Sequence, residues 1–386
     1  MKKHILLLWC MAILPCIVQA QSAQDSINSR TLFSELTGIK KKTDKFNLYL
    51  NMHGAFNAKF QDGFQEGAFE MKQLRIEAKG DINNWLSYRY RQRLNRGNAG
   101  NGNIDNLPTS IDIAGIGLKL NRKVALFLGK QCTVYGGIEF DLNPIEIYEY
   151  SDMIEYMSNF MTGINVAYNP VESQQIQFQI LDSRNGSLEE TYGKSEYLQA
   201  TKLPLVYTLN WNGNFSDVYK TRWSATVMNE VKGRRMYYYA LGNELNLNKF
   251  GAYFDWMYSR EGIDRKGIMT SIVGTENGHN AFNAEYMSFV LHGNYRFLPK
   301  WNVFVKGMYE TASIYKSNEL IEKGKYRTSW GYLGGIEFYP MEQNLHFFVT
   351  YVGRSYCYTE MAKTLGAENY DTNRISVGFI WQLPLF

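Results

Sequence analysis

From Phe46 onward, apolar and polar positions alternate with a period of two. Phe46, Leu48, Leu50, Met52, Phe56 and Phe60 share one parity, and Asn47, Asn51, His53, Asn57 and Lys59 share the other. This is the pattern of a strand with one apolar and one wet face. A run of about 15 residues exceeds the usual soluble strand, but suits a strand tilted by about 40° through lipid. The same alternation recurs to the C-terminus. It predicts strands at 46–60, 69–82, 85–96, 110–120, 123–130, 160–169, 174–183, 203–211, 219–231, 234–247, 249–260, 284–297, 301–311, 326–339, 343–355 and 373–386, sixteen in all. Bacterial single-chain barrels have an even count.

The connections fall into two alternating classes. Asn83-Asn84, Asn121-Arg122, 170–173, 212–218, Asn248, 298–300 and 340–342 are short. The others, 97–109, 131–159, 184–202, 261–283, 312–325 and 356–372, are long, and only 61–68 and 232–233 are brief. A barrel with tight periplasmic turns and long outer loops sorts its connections this way. Trp85, Trp211 and Trp301 each fall near a short turn, where an interfacial girdle would lie. The last segment places Ile375, Val377, Phe379, Trp381, Leu383 and Leu385 on one face and ends on the aromatic Phe386. The expected fold is all-β, a transmembrane 16-stranded antiparallel β-barrel around a water-filled pore.

The N-terminus reads as an export signal over residues 1–20. Lys2 and Lys3 precede an apolar stretch, Ile5 to Val18, too short and too broken at Pro15 for a membrane span. Residues 21–45 are polar, contain Lys40-Lys41-Lys42 and read as a periplasmic leader; 46–386 is the barrel. Removing Lys2 and Lys3 from the 41 basic residues leaves 39 against 37 acidic ones, which excludes a strongly basic nucleic-acid binder. Two of the four cysteines fall in the signal, and the remaining Cys132 and Cys357 are too few for a disulfide framework. An aromatic fraction of 15% suits the girdles of a barrel in outer-membrane lipid and lipopolysaccharide.

Charges on the strands refine the picture. In 86–94, Leu86, Tyr88, Tyr90 and Leu94 take one face, so Arg89, Arg91 and Arg93 take the other. A cation on the lipid face costs about 2–4 kcal/mol near the midplane, so the three arginines are expected to point inward as a ladder about 13 Å long. Arg75 and Lys79 on the preceding segment extend this basic wall. Lys59, Lys119, Arg222, Lys306 and Arg354 share the lumen parity, as do Glu77, Asp255, Glu310 and Glu337. Such a wall either attracts small anions or only solvates a wet interior. The long connection 131–159 contains no Lys or Arg but carries Glu139, Asp141, Glu146, Glu149, Asp152 and Glu155. These acids either face the arginine wall across the pore or form a solvated outer surface. Their spacing matches no EF-hand, and no metal or cofactor is expected.

Several stretches resemble the phosphate-selective porin O and P family: Arg75-Ile76-Glu77-Ala78-Lys79-Gly80, Tyr88 through Asn95, Asp105-Asn106-Leu107-Pro108, and Gly129-Lys130-Gln131 followed by Gly136 through Pro144. The resemblance covers most of the barrel and is densest from about 70 to 185. It implies a homotrimeric outer-membrane diffusion channel with an inward-folded third loop, here 131–159, and pore cations at Arg75, Arg89, Arg91 and Arg93 that select phosphate. The cation-free loop departs from an arginine-rich constriction, so general anion or small-solute diffusion stands beside phosphate as the expected activity. Two other classes compete. One is a barrel whose loops occlude the pore and which acts in surface binding or structure. The other is a barrel hydrolase, which needs a nucleophile or activated water beside a histidine; His53, His279, His292 and His346 show no such local arrangement.

Overall fold

The computed structural model describes residues 45–96, 105, 107–341 and 344–385. The export signal, the leader apart from Lys45, and the terminal Phe386 lie outside the described residues. Sixteen antiparallel strands close into one barrel in which each strand pairs with its chain neighbours and the first pairs with the last. They are β1 (Asn47–Phe60), β2 (Phe64–Asp81), β3 (Leu86–Arg93), β4 (Ile111–Lys119), β5 (Val124–Cys132), β6 (Phe160–Val171), β7 (Gln174–Asp182) and β8 (Leu205–Phe215). The second half comprises β9 (Tyr219–Asn229), β10 (Arg235–Asn246), β11 (Phe250–Ile263), β12 (Phe282–Leu298), β13 (Trp301–Ile314), β14 (Gly324–Phe338), β15 (Leu345–Tyr358) and β16 (Tyr370–Pro384).

Every predicted strand is present, and the alternation of short and long connections holds. The largest boundary shifts are at β2, which begins at Phe64, and at β8, which continues to Phe215. Both extensions shorten a connection into a tight turn with residues in the left-handed region: Asp62 and Gly63 in one, Ser216 and Asp217 in the other. The first turn is an Asp-Gly pair, Asp62-Gly63, the usual two-residue hairpin signal, whereas the second, Ser216-Asp217, carries neither Asn-Gly nor Asp-Gly.

Burial is inverted relative to a soluble protein. Asn47, Asn51, His53 and Asn57 of β1 are buried, whereas Phe56, Phe254, Leu291, Val305 and Val349 are exposed on the outer surface. Lipid replaces water outside, and closure leaves no strand edge unpaired. At the short-turn end Trp211 packs edge-on against Trp223 (5.0 Å) and Trp301 against Phe338 (4.8 Å).

The lumen differs from a uniformly wet interior. Met228, Met236, Tyr238, Met257, Val290, Phe304, Met308, Phe348 and Val352 face inward and form one apolar cluster with Tyr135, Ile138, Ile145, Tyr148, Met153 and Ile154 of the long connection between β5 and β6. That connection runs across the interior and must bury its own apolar residues. The strands opposite supply them with partners, so the inward parity of β9–β15 mixes polar and apolar side chains.

Candidate functional site

The basic wall forms where the parity argument places it. β2 and β3 pair so that Arg75 lies opposite Arg93, Glu77 opposite Arg91 and Lys79 opposite Arg89. Arg75, Lys79, Arg89 and Arg91 are buried and Arg93 partly so. Like charges directly opposite each other repel, and a carboxylate from the next strand relieves the Arg75–Arg93 pair. Arg91 pairs with Ile113 and Gln92 with Ile111, so Asp112 is the extra residue of a β-bulge. A bulge re-aims a side chain, and here it buries Asp112 among three guanidiniums: Arg93 at 2.8 Å, Arg75 at 3.2 Å and Arg91 at 3.4 Å. Glu77 takes Arg89 at 2.8 Å and Lys79 at 3.4 Å. Two carboxylates therefore bridge five cations. Lys59 and Lys119 instead sit near the two rims, Lys59 half-buried and paired with Glu70 at 2.9 Å and Lys119 exposed.

The third outer loop, 133–159, folds into the barrel. Gly136 (φ 71°) and Gly137 (φ 87°) take a left-handed path open to glycine, which turns the chain inward. The backbone N–H groups of Ile138 and Glu139 then donate to Asp255 of β11 at 2.7 and 2.8 Å. Opposite, β10 carries Gly242, where a Cβ would lie 2.7 Å from the Cα of Gly137. Further along, Tyr148 stacks on Phe304 (4.8 Å, 6°) and donates to Glu337 at 2.7 Å. Burial, followed by the Glu337 carboxylate, pushes the Tyr148 hydroxyl well above the ordinary phenol range, so it remains a donor.

Four of the loop acids anchor the loop to cations of β9 and β13–β16, the last of these strands being two from β2. Glu139 pairs with Lys306 and accepts from Ser151 at 2.9 Å. Asp141 meets Arg222 at 2.9 Å and Glu149 meets Arg374 at 2.8 Å. Asp152 pairs with both Arg327 and Arg354, and its backbone N–H donates to Glu310 at 2.6 Å. Burial opposes ionisation of Glu149, but Arg374 and Lys72 hold its carboxyl below the ordinary glutamate range. Glu146 ends a single 3-10 turn, Pro144–Glu146. Of the six, Glu155 lines a cavity together with Arg75 and Arg93, Asp141 lines one together with Arg89 and Arg91, and Glu139, Glu149 and Asp152 are taken up by strand cations. The physical reason is desolvation: a carboxylate carried into the lumen needs a cation within reach, and β9 and β13–β16 provide them.

Open space lies between the loop and the arginine wall. Two adjoining cavities, of about 340 and 60 Å³, share Pro144, Tyr150, Ile154, Asn159 and Phe160 as a common rim. The larger lies toward the long-loop end. Its charged lining is Arg75, Arg93, Arg96, Lys130 and Arg184 against Asp105 and Glu155, five cations to two carboxylates. Asp105 is spoken for by Lys130 at 3.0 Å. The smaller cavity carries the ladder onward through Arg91 and Arg89, past Gln177, Asn210 and Asn212. Phe160 flanks the ladder, its ring 5.3 Å from the Arg91 guanidinium and 5.5 Å from that of Arg93. The model for phosphate-selective porin O and P matches residues 46–383. The chain belongs to that family.

Solved structures agree on the fold of this porin. The outer-membrane channel DcaP of Acinetobacter baumannii superposes with a TM-score of 0.62 at 11% identity, over 90% of this chain and all of that one. An anion-selective porin from Comamonas acidovorans gives 0.60 at 10% identity, over 88% and 99%. A trimer form of OmpT, an outer-membrane protein of Vibrio cholerae, gives 0.54 at 10% identity, over 88% and 100%. No curated protein matches the chain. Family and architecture together make it a β-barrel of the bacterial outer membrane.

Asp112, Lys130, Arg96 and Phe160 were not singled out by sequence. Asp112 breaks the period-two rule because it occupies a bulge, and a charged residue between two isoleucines in Ile111-Asp112-Ile113 was the available signal. Among the described residues, the two cysteines, Cys132 and Cys357, are not joined to each other.

Proposed function

We propose that this porin is a passive diffusion channel whose passage favours small anions, phosphate among them. The observation that carries the reading is the charge of the wider cavity, five cations to two carboxylates, continued inward by the bridged ladder of β2 and β3. Guanidinium forks match phosphate and carboxylate oxygens, and a cationic lining lowers the barrier for an anion entering a narrow pore. The anion-selective Comamonas porin with the same fold supports it. Reversal potentials across planar bilayers in a KCl gradient test the proposal: they should lie on the chloride side, and a clear cation preference overturns it. Joint neutralisation of Arg89, Arg91 and Arg93 to Gln should move the reversal potential toward zero; no movement would make the ladder a scaffold feature.

The proposal extends to a homotrimer, in line with the trimer form of the Vibrio protein, and to removal of residues 1–20 on export. Chemical crosslinking in detergent and N-terminal sequencing of the membrane-extracted protein check these points. No reaction is part of the reading, because the histidines serve the scaffold. His53 bonds the Ile145 carbonyl at 2.8 Å, His292 stacks on Tyr253 at 4.8 Å, His346 lies 3.8 Å from Glu337, and His279 bonds the Asn280 carbonyl at 2.7 Å. One observation favours a second reading, a barrel closed to solutes: the apolar cluster that fills the lumen along β9–β15. Correctly folded protein that gives no single-channel conductance would establish it.

A further inference from the structure

The passage has two chemically different sides. Arg75, Arg93 and Arg96 form one side of the wider cavity, while Tyr150, Ile154 and Phe160 line it as well. The apolar side belongs to the rim shared by both cavities, so a solute going from one to the other touches it. Of the loop acids near that rim, Glu139, Glu149 and Asp152 line neither cavity and pair with Lys306, Arg374 and Arg354, while Asp141, on the lining of the smaller cavity, is held by Arg222. We infer that the channel selects amphipathic organic anions, with aryl carboxylates as the representative class, over small fully hydrated ones. The inference rests on the anion-channel reading and names its preferred solute.

The chemistry differs between the two kinds of anion. A carboxylate can sit on the guanidinium fork of Arg93 or Arg75 while an attached ring lies against Tyr150, Ile154 and Phe160. Its apolar surface is then taken out of water on both sides. Phosphate or acetate gains the first contact, but presents little or no apolar surface to the second and gives up hydration against it. A volume of about 340 Å³ lies within the usual range of small-molecule sites, so the cavity holds a substituted ring rather than a bare ion. Glu155, on the same lining, disfavours a second negative charge close to Ile154, which points to monoanions.

The experiment is single-channel recording of the full barrel in KCl with sodium benzoate, sodium acetate or sodium phosphate added to one side. Benzoate should interrupt or replace the chloride current at a concentration about tenfold lower than acetate or phosphate, the difference expected from partial burial of one ring. Ile154→Asn and Phe160→Gln should each bring benzoate toward the acetate value. The KCl reversal potential of the unmodified protein reads the parent proposal separately. A cation-selective channel overturns the function itself. An anion-selective channel on which benzoate and acetate act at the same concentration overturns this inference alone. Because that comparison uses unmodified protein, it decides the matter even if the variants fail to fold.

Discussion

Asp112 shows how much one side chain controls in a wall of like charge. Three guanidiniums approach it within 3.4 Å, and it is almost wholly buried. Asp112→Asn leaves those cations without their counter-charge, a change of the kind that costs about 3–5 kcal/mol in a buried pair. It should lower the thermal unfolding midpoint in detergent and, in channels that still form, shift the KCl reversal potential further toward chloride. Cys132 offers a second probe, since it lines the smaller cavity beside Arg89 and Arg91. A bulky thiol reagent added to Cys357→Ser protein should reduce conductance, and Cys132→Ser should abolish that response. The ladder itself was legible because a strand face admits only one reading for Arg89, Arg91 and Arg93 once lipid excludes the other side. Its partner was not. The bulge that brings Asp112 inward is set by register between two strands, and within β4 only the charge set between Ile111 and Ile113 hints at it.

The third outer loop, 133–159, behaves as an element with a fixed seat. Its acidic composition was plain in the sequence, but its pairing was not, because Glu139 and Lys306 stand 167 residues apart and closure of the barrel decides what they meet. Gly242 and Gly137 set how closely loop and wall approach. Gly242→Val should push the loop off β10, giving a larger and noisier conductance and new protease cleavage within 133–159, while the barrel melts nearly as before. The Glu149–Arg374 clasp adds a pH dependence of definite sign. A carboxyl held below its ordinary value contributes stability above the unfolded pKa and loses it as pH falls through the folded one. Current noise from the loop should therefore stay low down to about pH 4, near the unperturbed glutamate value, and rise below it; Glu149→Gln should be noisy throughout. A rise beginning near pH 6 would point to another group.

For the molecule as a whole, the sequence announced a barrel through periodicity because lipid outside and polar side chains inside impose the same alternation on sixteen strands. It overstated the water. The lumen along β9–β15 is packed with methionine, tyrosine and aliphatic side chains, and nothing in a strand's own pattern distinguishes an apolar residue facing lipid from one facing an inserted loop. Closure has a further consequence for assembly. β1 pairs with β16 from Tyr49 opposite Pro384 to Phe60 opposite Asn373. The seam thus joins the earliest and latest parts of the barrel to leave the ribosome. Until the final strand arrives, the sheet is an open ribbon with two unsatisfied borders and an apolar outer skin. Such a nascent chain has no stable halfway form in water, so its journey to the membrane requires an escort that shields both borders at once.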